Sequence, residues 1–458
     1  MPIQAPHSSL HFPGCGASEH RQSRRRFLFS AAGAGAFLGA TRRGDGADES
    51  IKAAVRNTAQ RCIFIQLVGA SSQLDTFNPK EGPWNPEDAN IVQLGRDMAI
   101  SRTMYPNLSR LGKDLLFLNS VNSWELAHER GQFYLQTAHP MNPAFQAESP
   151  HIGAVVCFER GKTGSMPPFL ALNSGSMQGA KFLGGILEPF SVSPAAGGLS
   201  TLEHNYYGTL SRNRFEEKYK LLESLDATLR RDPYSQRMAD HAAFTASARQ
   251  LMYSPSITKT FQFTAQESIQ YGNTPLGNAC LVARNAVRAK EGVSFVQIQH
   301  GGWDTHFRMF DRSYPGSMYQ LGGQLDSALA ALIEDLRASG DLDATLIVVM
   351  GEFGRTPGDL NLNGGRDHHR YAMSVLMAGG GVKGGRSIGT TDREGSDVAD
   401  PGWSADRPIY PEDIASTIYS ALGINWTRSI ADTPSGRRFE YIPYADQAKF
   451  MPIEEVFG

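Results

Sequence analysis

The sequence predicts an α/β protein in which a mainly parallel sheet lies between two layers of helices, a three-layer α/β/α sandwich. Two short apolar runs, residues 293–299 and 345–350, have the length and composition of buried strands. Between them, apolar residues recur at three- and four-residue steps from Leu321 to Leu336, which indicates a helix with one buried face. Strand, crossover helix and strand form the repeating unit of a parallel sheet.

The other predicted elements extend this pattern along the chain. Apolar runs at residues 62–68, 115–118 and 374–378 predict three more strands. Residues 276–289 predict a crossover helix that leads into the next strand. A further helix is predicted at residues 411–422, because proline occupies its first position, acidic residues its first turn and glycine the position after it.

The beginning of the chain has the features of an export signal. Residues 23–28, SRRRFL, form a twin-arginine pattern, and the apolar stretch at residues 27–40 is too short to anchor the chain in a bilayer. We therefore expect residues 1–40 to direct export by the twin-arginine machinery to the periplasm or the extracellular space. The alternative, a basic amphipathic surface helix, is disfavoured because the stretch has no polar face.

Composition divides the remaining chain into a linker and one large domain. Residues 41–60 are polar and are expected to form the linker, and residues 61–458 the α/β domain. Within that domain, residues 158–272 are expected to form a cap inserted above the sheet. They begin with a stretch rich in Gly, Ser and Pro and continue with a charged helical pattern. We expect no membrane span after the signal is cleaved.

Charge and cysteine content exclude several classes of protein. The net charge is −2, and residues 1–40 carry four Arg and one Glu, so the rest of the chain has a net charge of −5. A mildly acidic body without a basic stripe argues against a nucleic-acid partner. Cys62, Cys157 and Cys280 lack the spacing of a metal knuckle, and we expect them to be mostly buried, with at most one disulfide among them.

Residue types that bind metals flank several of the predicted strands. Ligands of a parallel sheet collect beyond the carboxyl ends of its strands, so we expect these loops to meet. Carboxylates suit hard cations and imidazole suits zinc or manganese, and two metals about 4 Å apart would bind the oxygens of a phosphate or sulfate ester. For any one residue alone, capping of a turn is the simpler explanation. The candidate ligands of a divalent Zn, Mn, Ca or Mg ion are Asp75, Asp304, His306, Glu352, Asp367 and His368.

Other polar residues near the same strand ends are candidates for catalysis or binding. Arg355 would clamp an oxyanion or pair with the nearby Glu352. His128 lies at the predicted start of a helix, where unpaired N–H groups favour an anion. The serines at residues 71–72 follow a strand and fit a turn or a cap better than a nucleophile. Trp303 is expected to pack its loop against the sheet rather than to stack on a sugar.

Several stretches of the chain resemble a family of bacterial proteins that carry the domain of unknown function 1501. The resemblance extends from about residue 62 to about residue 422, so most of the chain carries it. The matching stretches are GASSQLDTFNPK at 69–80, YGNTPLGNACLVARNAV at 271–287, HGGWDTH at 300–306, MGEFGRT at 350–356, GGRDHH at 364–369, AGGGVKGG at 378–385 and IGTTDREG at 388–395.

Members of this family look like distant relatives of alkaline phosphatases and sulfatases, which implies an alkaline-phosphatase-like fold. Residues 105–121 resemble the sulfatase stretch that introduces the nucleophile, and residues 411–424 resemble the helix that follows the last metal loop. By the same resemblance, Asp304 and His306 match an Asp and a His that bind one metal. Residues 367–368 stand where a later histidine ligand is expected.

Three positions depart from the pattern of that superfamily. His128 stands where a Cys, Ser or Thr nucleophile is usual, so formylglycine chemistry is not expected. This histidine is instead a candidate phospho-acceptor, metal ligand or proton donor. Glu352 stands in place of an Asp-His pair, which implies a single metal or a weakly held second one. Asp75 lies several residues beyond the position expected of a ligand.

Together these features favour an exported, metal-dependent hydrolase of phosphate or sulfate esters, including esters of glycans. His128 and Arg355 are its expected catalytic residues. The alternative from another class is a non-catalytic binding or assembly protein that keeps the fold, because a fold does not by itself fix a function.

Overall fold

The central sheet of the protein has eight strands. The computed structural model describes residues 54–175, 177–198, 212–227, 238, 239, 242, 245, 246 and 254–458. The strands are β1 (Arg61–Leu67), β2 (Leu115–Val121), β3 (Phe169–Leu172), β4 (Phe190–Val192), β5 (Phe295–His300), β6 (Thr345–Met350), β7 (Met373–Ala378) and β8 (Arg386–Ile388). Their order across the sheet is β8-β2-β7-β6-β1-β5-β3-β4. All five strands predicted from apolar runs are confirmed.

Strand β7 differs from the rest of the described sheet in its direction. It pairs antiparallel with both of its neighbours, β2 and β6, whereas β1 pairs in parallel with β5 and β6. The remaining pairs, β3 with β4 and β5, and β8 with β2, are parallel. The amino end of β7 therefore lies at the same edge as the carboxyl ends of β1, β5 and β6. Residues 364–369, which precede β7, are placed beside the loops that follow those three strands.

Helices cover both faces of the sheet. One hydrophobic core joins α6 and α7 to alternate strand residues such as Ile63 and Ile65, and a second core joins α1, α2 and α8 to the intervening residues Cys62 and Phe64. This confirms the predicted three-layer α/β/α sandwich with a mainly parallel sheet. The helices are α1 (His128–Thr137), α2 (Ile152–Arg160), α3 (Arg212–Leu225), α4 (Pro255–Thr260), α5 (Ala265–Gln270), α6 (Pro275–Ala289), α7 (Met318–Ser339) and α8 (Pro411–Ala421).

Short two-stranded ladders brace the loops around the sheet. In the described part of the chain they join Ile91–Gly95 to Met98–Ser101, Gly354–Arg355 to His368–His369, Thr390–Thr391 to Val398–Asp400, and Ser429–Ile430 to Phe439–Glu440. The second ladder ties the loop after β6 to the loop before β7. Within the described residues, no helix combines the length and the apolar character needed to cross a membrane. Cys62, Cys157 and Cys280 are buried and free, as expected.

The predicted cap at residues 158–272 needs correction in its first part. Strands β3 and β4 lie within that range and form one edge of the central sheet, so this stretch is not an excursion above the sheet. The strands are only four and three residues long and lie between Gly- and Pro-rich loops, which is why the sequence reads as a loop. The predicted signal at 1–40, residues 41–53 of the predicted linker and much of the second half of the cap lie outside the described residues.

Glu412, in the first turn of α8, is a buried acid. Its carboxylate accepts hydrogen bonds from Tyr134 Oη at 2.5 Å and from Trp124 Nε1 at 3.1 Å, and the residue is 1% exposed. Burial raises the pKa of Glu412 from its usual value of 4.5 to about 7. The folded protein therefore holds this proton more tightly than the unfolded chain does.

Glu412→Gln is expected to flatten the dependence of stability on pH. Because the folded-state pKa is raised, the stability linked to this proton is complete below pH 4.5 and is lost as the pH rises to about 7. The free energy of unfolding that is lost through Glu412 over this pH range is on the order of 3 kcal/mol at most. Urea unfolding at a series of pH values across that interval measures it. Glu334→Gln, at an exposed position of α7, is the matched control and should keep the wild-type slope. An unchanged slope in the Glu412 variant would contradict the assignment.

Candidate metal centre

Five loops meet at the sheet edge formed by the carboxyl ends of β1, β2, β5 and β6 and the amino end of β7. The loop between β2 and α1 ends at His128, the first residue of that helix. The loop after β5 carries Asp304 and His306. His368 lies in the short ladder before β7, where it pairs directly with Arg355 from the loop after β6. The fold thus gathers side chains that are up to 240 residues apart in sequence.

His128 is oriented by a buried carboxylate. Its Nδ1–H donates to Glu352 Oε1 at 2.8 Å, and the same oxygen accepts from Gly69 N at 3.0 Å and from Gln132 Nε2 at 3.3 Å. Because a carboxylate oxygen only accepts, Nδ1 carries the hydrogen and Nε2 presents a lone pair. The hydrogen bond to Glu352 raises the pKa of His128, and a more basic imidazole is also a stronger metal ligand.

His306 is oriented in the same way by Asp367. Its Nδ1–H donates to Asp367 Oδ1 at 2.7 Å, and Asn361 Nδ2 donates to that oxygen at 3.2 Å and to the carbonyl oxygen of His306 at 3.0 Å. The hydrogen bond from His306 lowers the pKa of Asp367, which is therefore charged at neutral pH. Nε2 of His306 is the ring nitrogen left to face the cluster.

His368 is oriented by a backbone group. Its Nδ1–H donates to the carbonyl oxygen of Leu126 at 2.7 Å, so Nε2 again presents a lone pair. Burial lowers the pKa of His368, which keeps the imidazole neutral, the form that binds a metal. All three histidines of the cluster thus share one tautomer, imposed in each case by an oxygen acceptor behind the ring.

The three Nε2 atoms converge on Asp304. Oδ1 of Asp304 lies 3.2 Å from Nε2 of His128, 3.0 Å from that of His306 and 3.4 Å from that of His368. Two ligands of a tetrahedral zinc ion with bonds of about 2.0 Å are separated by about 3.3 Å, so the distance from each histidine to Asp304 is that of two ligands on one ion. Ligand atoms of His128, Asp304 and His368 all lie within 4.8 Å of one another, and His306 is not part of this group, although its Nε2 is close to Asp304 and His368.

Two features of the cluster suit a bound metal ion. His306 Nε2 and His368 Nε2 are 3.1 Å apart, and Arg355 Nη1 lies 3.3 Å from His306 Nε2. His128 Nε2 is buried and has no hydrogen-bond partner among the described residues, and Glu352 Oε2 likewise has none. A divalent ion would bind the lone pair of His128 Nε2 together with those of its neighbours. The residues present therefore fit a metal ion.

Arg355 is a fixed cation in the floor of the cluster. The residue is fully buried, and each of its three guanidinium nitrogens donates hydrogen bonds. Nη2 donates to Asp304 Oδ1 at 2.5 Å, and Nη1 lies 3.3 Å from His306 Nε2. Burial alone would raise the pKa of Asp304. The hydrogen bond from Arg355 and its positive charge outweigh burial, so the net effect is a lowered pKa. The other acceptors of the guanidinium are the carbonyl oxygens of Gly69, Ala70, Trp303 and Arg366.

Asp75 has a different role from the predicted one. Its Oδ2 forms a buried ion pair with Arg366 Nε at 2.8 Å and accepts from Ser72 Oγ at 2.5 Å. The Asp75 carboxylate is therefore buried in this ion pair and is not part of the His and Asp cluster. Arg355 likewise departs from both of its predicted roles, since its bonded guanidinium is closed to a substrate and pairs with Asp304 instead of Glu352.

The structure thus divides the remaining predicted residues into two groups. Asp304, His306 and His368 direct ligand atoms into the cluster, and His128 joins them. Glu352 and Asp367, also predicted as ligands, lie behind histidines and orient them. Gln132 and Asn361 donate hydrogen bonds to these two carboxylates and were not predicted. Gln132 lies one helical turn after His128, and this i, i+4 spacing is the sequence signal that could have identified it. Trp303 is fully buried, as expected.

Two glycines allow the loops of the centre to approach each other. A Cβ atom on Gly69, whose φ is +105°, would lie 2.5 Å from the backbone nitrogen of Asp304. A Cβ atom on Gly365 would lie 2.1 Å from the carbonyl carbon of His306. Both separations are far below a van der Waals contact, so a larger residue at either position would push apart loops that carry ligands. The motifs GASS and GGRDHH therefore need glycine for steric reasons.

The fold and the cluster together define an α/β protein with a candidate metal centre at the carboxyl edge of a mainly parallel sheet. The family described as "Protein of unknown function (DUF1501)" matches residues 59–447, and the chain belongs to this family. The family resemblance read from the sequence is thereby confirmed. No curated protein matches the sequence closely enough to count as a relative.

Solved structures that resemble this chain include a sulfatase and a member of the alkaline phosphatase superfamily. The sulfatase PsFucS1 from Pseudoalteromonas is 14% identical, with a TM-score of 0.37 over 84% of this chain and 71% of that chain. A member of the alkaline phosphatase superfamily from Vibrio parahaemolyticus is 12% identical, with a TM-score of 0.39 over 89% and 74%. The C-terminal periplasmic domain of EcEptC from Escherichia coli, solved with Zn, is 11% identical, with a TM-score of 0.38 over 87% and 98%.

Proposed function

We propose that this protein is an exported, metal-dependent hydrolase of phosphate or sulfate esters. The observation that carries the proposal is the convergence of three imidazole Nε2 atoms on one carboxylate oxygen, with each Nδ1–H donated to an oxygen behind its ring. Such outer partners fix the tautomer of metal-binding histidines. Export rests on the twin-arginine pattern at residues 23–28.

The proposed ligands are His128, Asp304, His306 and His368. A set of three imidazoles and one carboxylate favours zinc or manganese over magnesium and calcium, which prefer oxygen ligands. When bound, the ion supplies a Lewis acid for an ester oxygen and lowers the pKa of a coordinated water. Glu352, Asp367 and Asp75, which the sequence also suggested as ligands, are absent from this set. His128, for which the sequence left open the roles of phospho-acceptor, metal ligand and proton donor, is a ligand in it.

The residues of the chain supply orientation and charge for hydrolysis. The side chain of Asp304 is 47% exposed and that of Asp367 is 58% exposed, so the cluster is open to a substrate from solvent. Arg355 adds a permanent positive charge beside the cluster, which favours a dianionic or monoanionic ester. With His128 placed among the ligands, we infer that water is the nucleophile: its oxygen bonds to phosphorus or sulfur, and the ester oxygen leaves with a proton.

His368→Ala is expected to remove the metal and the activity, whereas His369→Ala is expected to keep both. The two residues are adjacent, but His369 Nε2–H donates to the carbonyl oxygen of Ser396 and lies outside the cluster. Elemental analysis of the purified protein should find about one Zn or Mn per chain in the wild type and in the His369 variant. A panel of phosphate and sulfate monoesters, with each metal added in turn, measures hydrolysis.

The two measurements separate the proposed function from its alternative. Wild-type protein that holds no divalent metal would overturn the metal centre itself. Protein that holds the metal through His368 yet hydrolyses no ester in the panel would favour a non-catalytic binding or assembly protein. Equal metal content in both histidine variants would show that the cluster was wrongly assigned.

A further inference from the structure

A polar cavity of about 300 Å³ lies at the amino edge of the sheet, opposite the proposed metal centre. Arg61, the first residue of β1, and Ser294, which precedes β5, both line it. β1 has seven residues, and its other end leads to Gly69, whose backbone N–H donates to Glu352 of the metal centre. The two places are therefore about 20 Å apart along the strand, and the cavity is separate from the cluster.

Three cationic side chains line this cavity. Arg160 is the last residue of α2, Lys290 directly follows α6, and both line the cavity together with Arg61. No Asp or Glu is among the described residues that line it. The wall is thus positive and rich in N–H donors.

The two guanidinium groups have no carboxylate within hydrogen-bond distance among the described residues. Asp341 Oδ1 lies 3.8 Å from Arg61 Nη1, although the side chains of both residues are only 11% exposed. Arg61 donates one hydrogen bond, from Nη2 to Gln60 Oε1 at 3.2 Å, and Arg160 donates one, from Nη1 to the carbonyl oxygen of Leu422 at 3.0 Å. A guanidinium has five N–H groups, so most of these donors have no acceptor in the described part of the chain.

Burial makes this arrangement of charges costly. Burial lowers the pKa of Arg61, the charge of Asp341 acts in the opposite direction, and the positive charge of Arg160 lowers that pKa further. Burial also lowers the pKa of Arg160. Like charges withdrawn from water repel each other more strongly, because the local dielectric constant is low. A bound anion would offset both the cost of burial and the repulsion.

The ends of the helices explain only part of the positive charge. Helix C-termini carry a partial negative charge that favours cations, which accounts for Arg160 at the end of α2 and Lys290 at the end of α6. Arg61 instead begins a strand, and sheets have only small net dipoles. Its nearly buried guanidinium therefore needs another partner.

We propose that this cavity binds a tetrahedral oxyanion with two negative charges, a sulfate or a phosphate group. Three cations and the neighbouring carboxylate of Asp341 leave a net charge of +2, which matches a dianion better than a single carboxylate. The fork of a guanidinium fits two oxygens of such a group. The cavity is several times larger than one oxyanion, so the group is bound either free or as part of a small ester. This inference does not depend on the proposed function.

Calorimetric titration of the His368→Ala protein with sodium sulfate and sodium phosphate, at constant ionic strength, tests this site apart from the metal centre. That variant is expected to hold no metal, so an oxyanion bound to it is not a ligand of zinc. About one ion per chain should bind. Arg61→Gln and Arg160→Gln, each added to this background, should weaken binding by about tenfold or more, because each removes charge-assisted hydrogen bonds.

Two further variants separate binding of an anion from a purely structural role of the arginines. Asp341→Asn should strengthen binding by about threefold, because it removes the negative charge beside Arg61. A purely structural role predicts no such gain. Arg96→Gln is the matched control, since the side chain of Arg96 is 87% exposed and does not line the cavity, and it should leave the affinity unchanged.

The outcomes that would overturn the site are distinct from those that would overturn the hydrolase. Absence of binding by either ion, or unchanged binding in Arg61→Gln and Arg160→Gln, would reject the site whatever the activity of the metal centre. If Arg61→Gln fails to fold, Arg160→Gln and Asp341→Asn decide. Tighter binding of acetate than of sulfate would also reject it, because the site would then select a single carboxylate.

A comparison of ethyl phosphate with inorganic phosphate distinguishes the two sources of the oxyanion. Tighter binding of ethyl phosphate identifies the ligand as an ester, and tighter binding of inorganic phosphate identifies it as the free ion. Either result keeps the proposal, provided that the binding depends on Arg61 and Arg160.

Discussion

Asp304→Asn is expected to lower the affinity of the protein for its metal ion by more than about 100-fold and to abolish ester hydrolysis. Asp304 Oδ1 is the atom on which His128, His306 and His368 converge, at 3.0–3.4 Å. It also supplies the negative charge of the proposed ligand set, since the other three ligands are neutral imidazoles. Asparagine preserves the shape of the side chain but removes that charge, while the positive charge of Arg355 remains beside the site.

Calorimetric titration of metal-free protein with Zn²⁺ measures the change in affinity directly. Asp359→Asn is the matched control, because it makes the same chemical change at an exposed position in the loop that leads to the GGRDHH motif. That variant should bind zinc as the wild type does. Wild-type zinc affinity in Asp304→Asn would rule out Asp304 as a ligand.

Arg355→Met is expected to destabilise the metal-free protein by about 3–5 kcal/mol, because several carbonyl oxygens would each lose a hydrogen bond from the buried guanidinium, at about 1–3 kcal/mol each. Methionine has a similar length but no donors. The substitution would leave the carbonyl oxygens of Gly69, Ala70 and Arg366 without the hydrogen bonds that the buried guanidinium supplies. It would also free Asp304 from the group that holds it in place.

Urea unfolding of metal-free protein measures this loss without interference from bound zinc. Arg96→Met provides the comparison, because the side chain of Arg96 is 87% exposed and its change should stay within about 0.5 kcal/mol. Arg355→Lys, which keeps the charge but not the fork of donors, should fall between the two. If the free energy of unfolding of Arg355→Met equals that of the wild type, the Arg355 guanidinium does not stabilise the loops beneath the cluster.

Much of the fold follows from apolar periodicity, and the exceptions have physical causes. β1, β2, β5, β6 and β7 are buried on both faces, so clustered apolar residues make their sequences stand out from their surroundings, although β5 also contains Gln297, Gln299 and His300. β3 and β4 are short and lie at one edge, where a few apolar residues between turns cannot be told from a loop. The direction of β7 is set by its pairing with distant strands, which no local pattern records.

The candidate site was predictable in its residue types and only partly in their roles. Motifs at the strand ends identified Asp304, His306 and His368, because the chemistry of a side chain is visible in the sequence. The direction of each ring nitrogen is not visible, so nothing local showed that Glu352 lies behind His128. Asp75 illustrates the same limit, since its partner Arg366 is 291 residues away in the chain.

The antiparallel course of β7 also bears on the order of events during synthesis. His368 lies shortly before β7, which is placed between β2 and β6 and is made after both of them. A growing chain therefore has no complete cluster within a finished sheet until more than four-fifths of it has been translated. Capture of the proposed metal ion would then be a late step that requires a finished sheet, and a chain that had acquired the ion would already be folded before the proposed export.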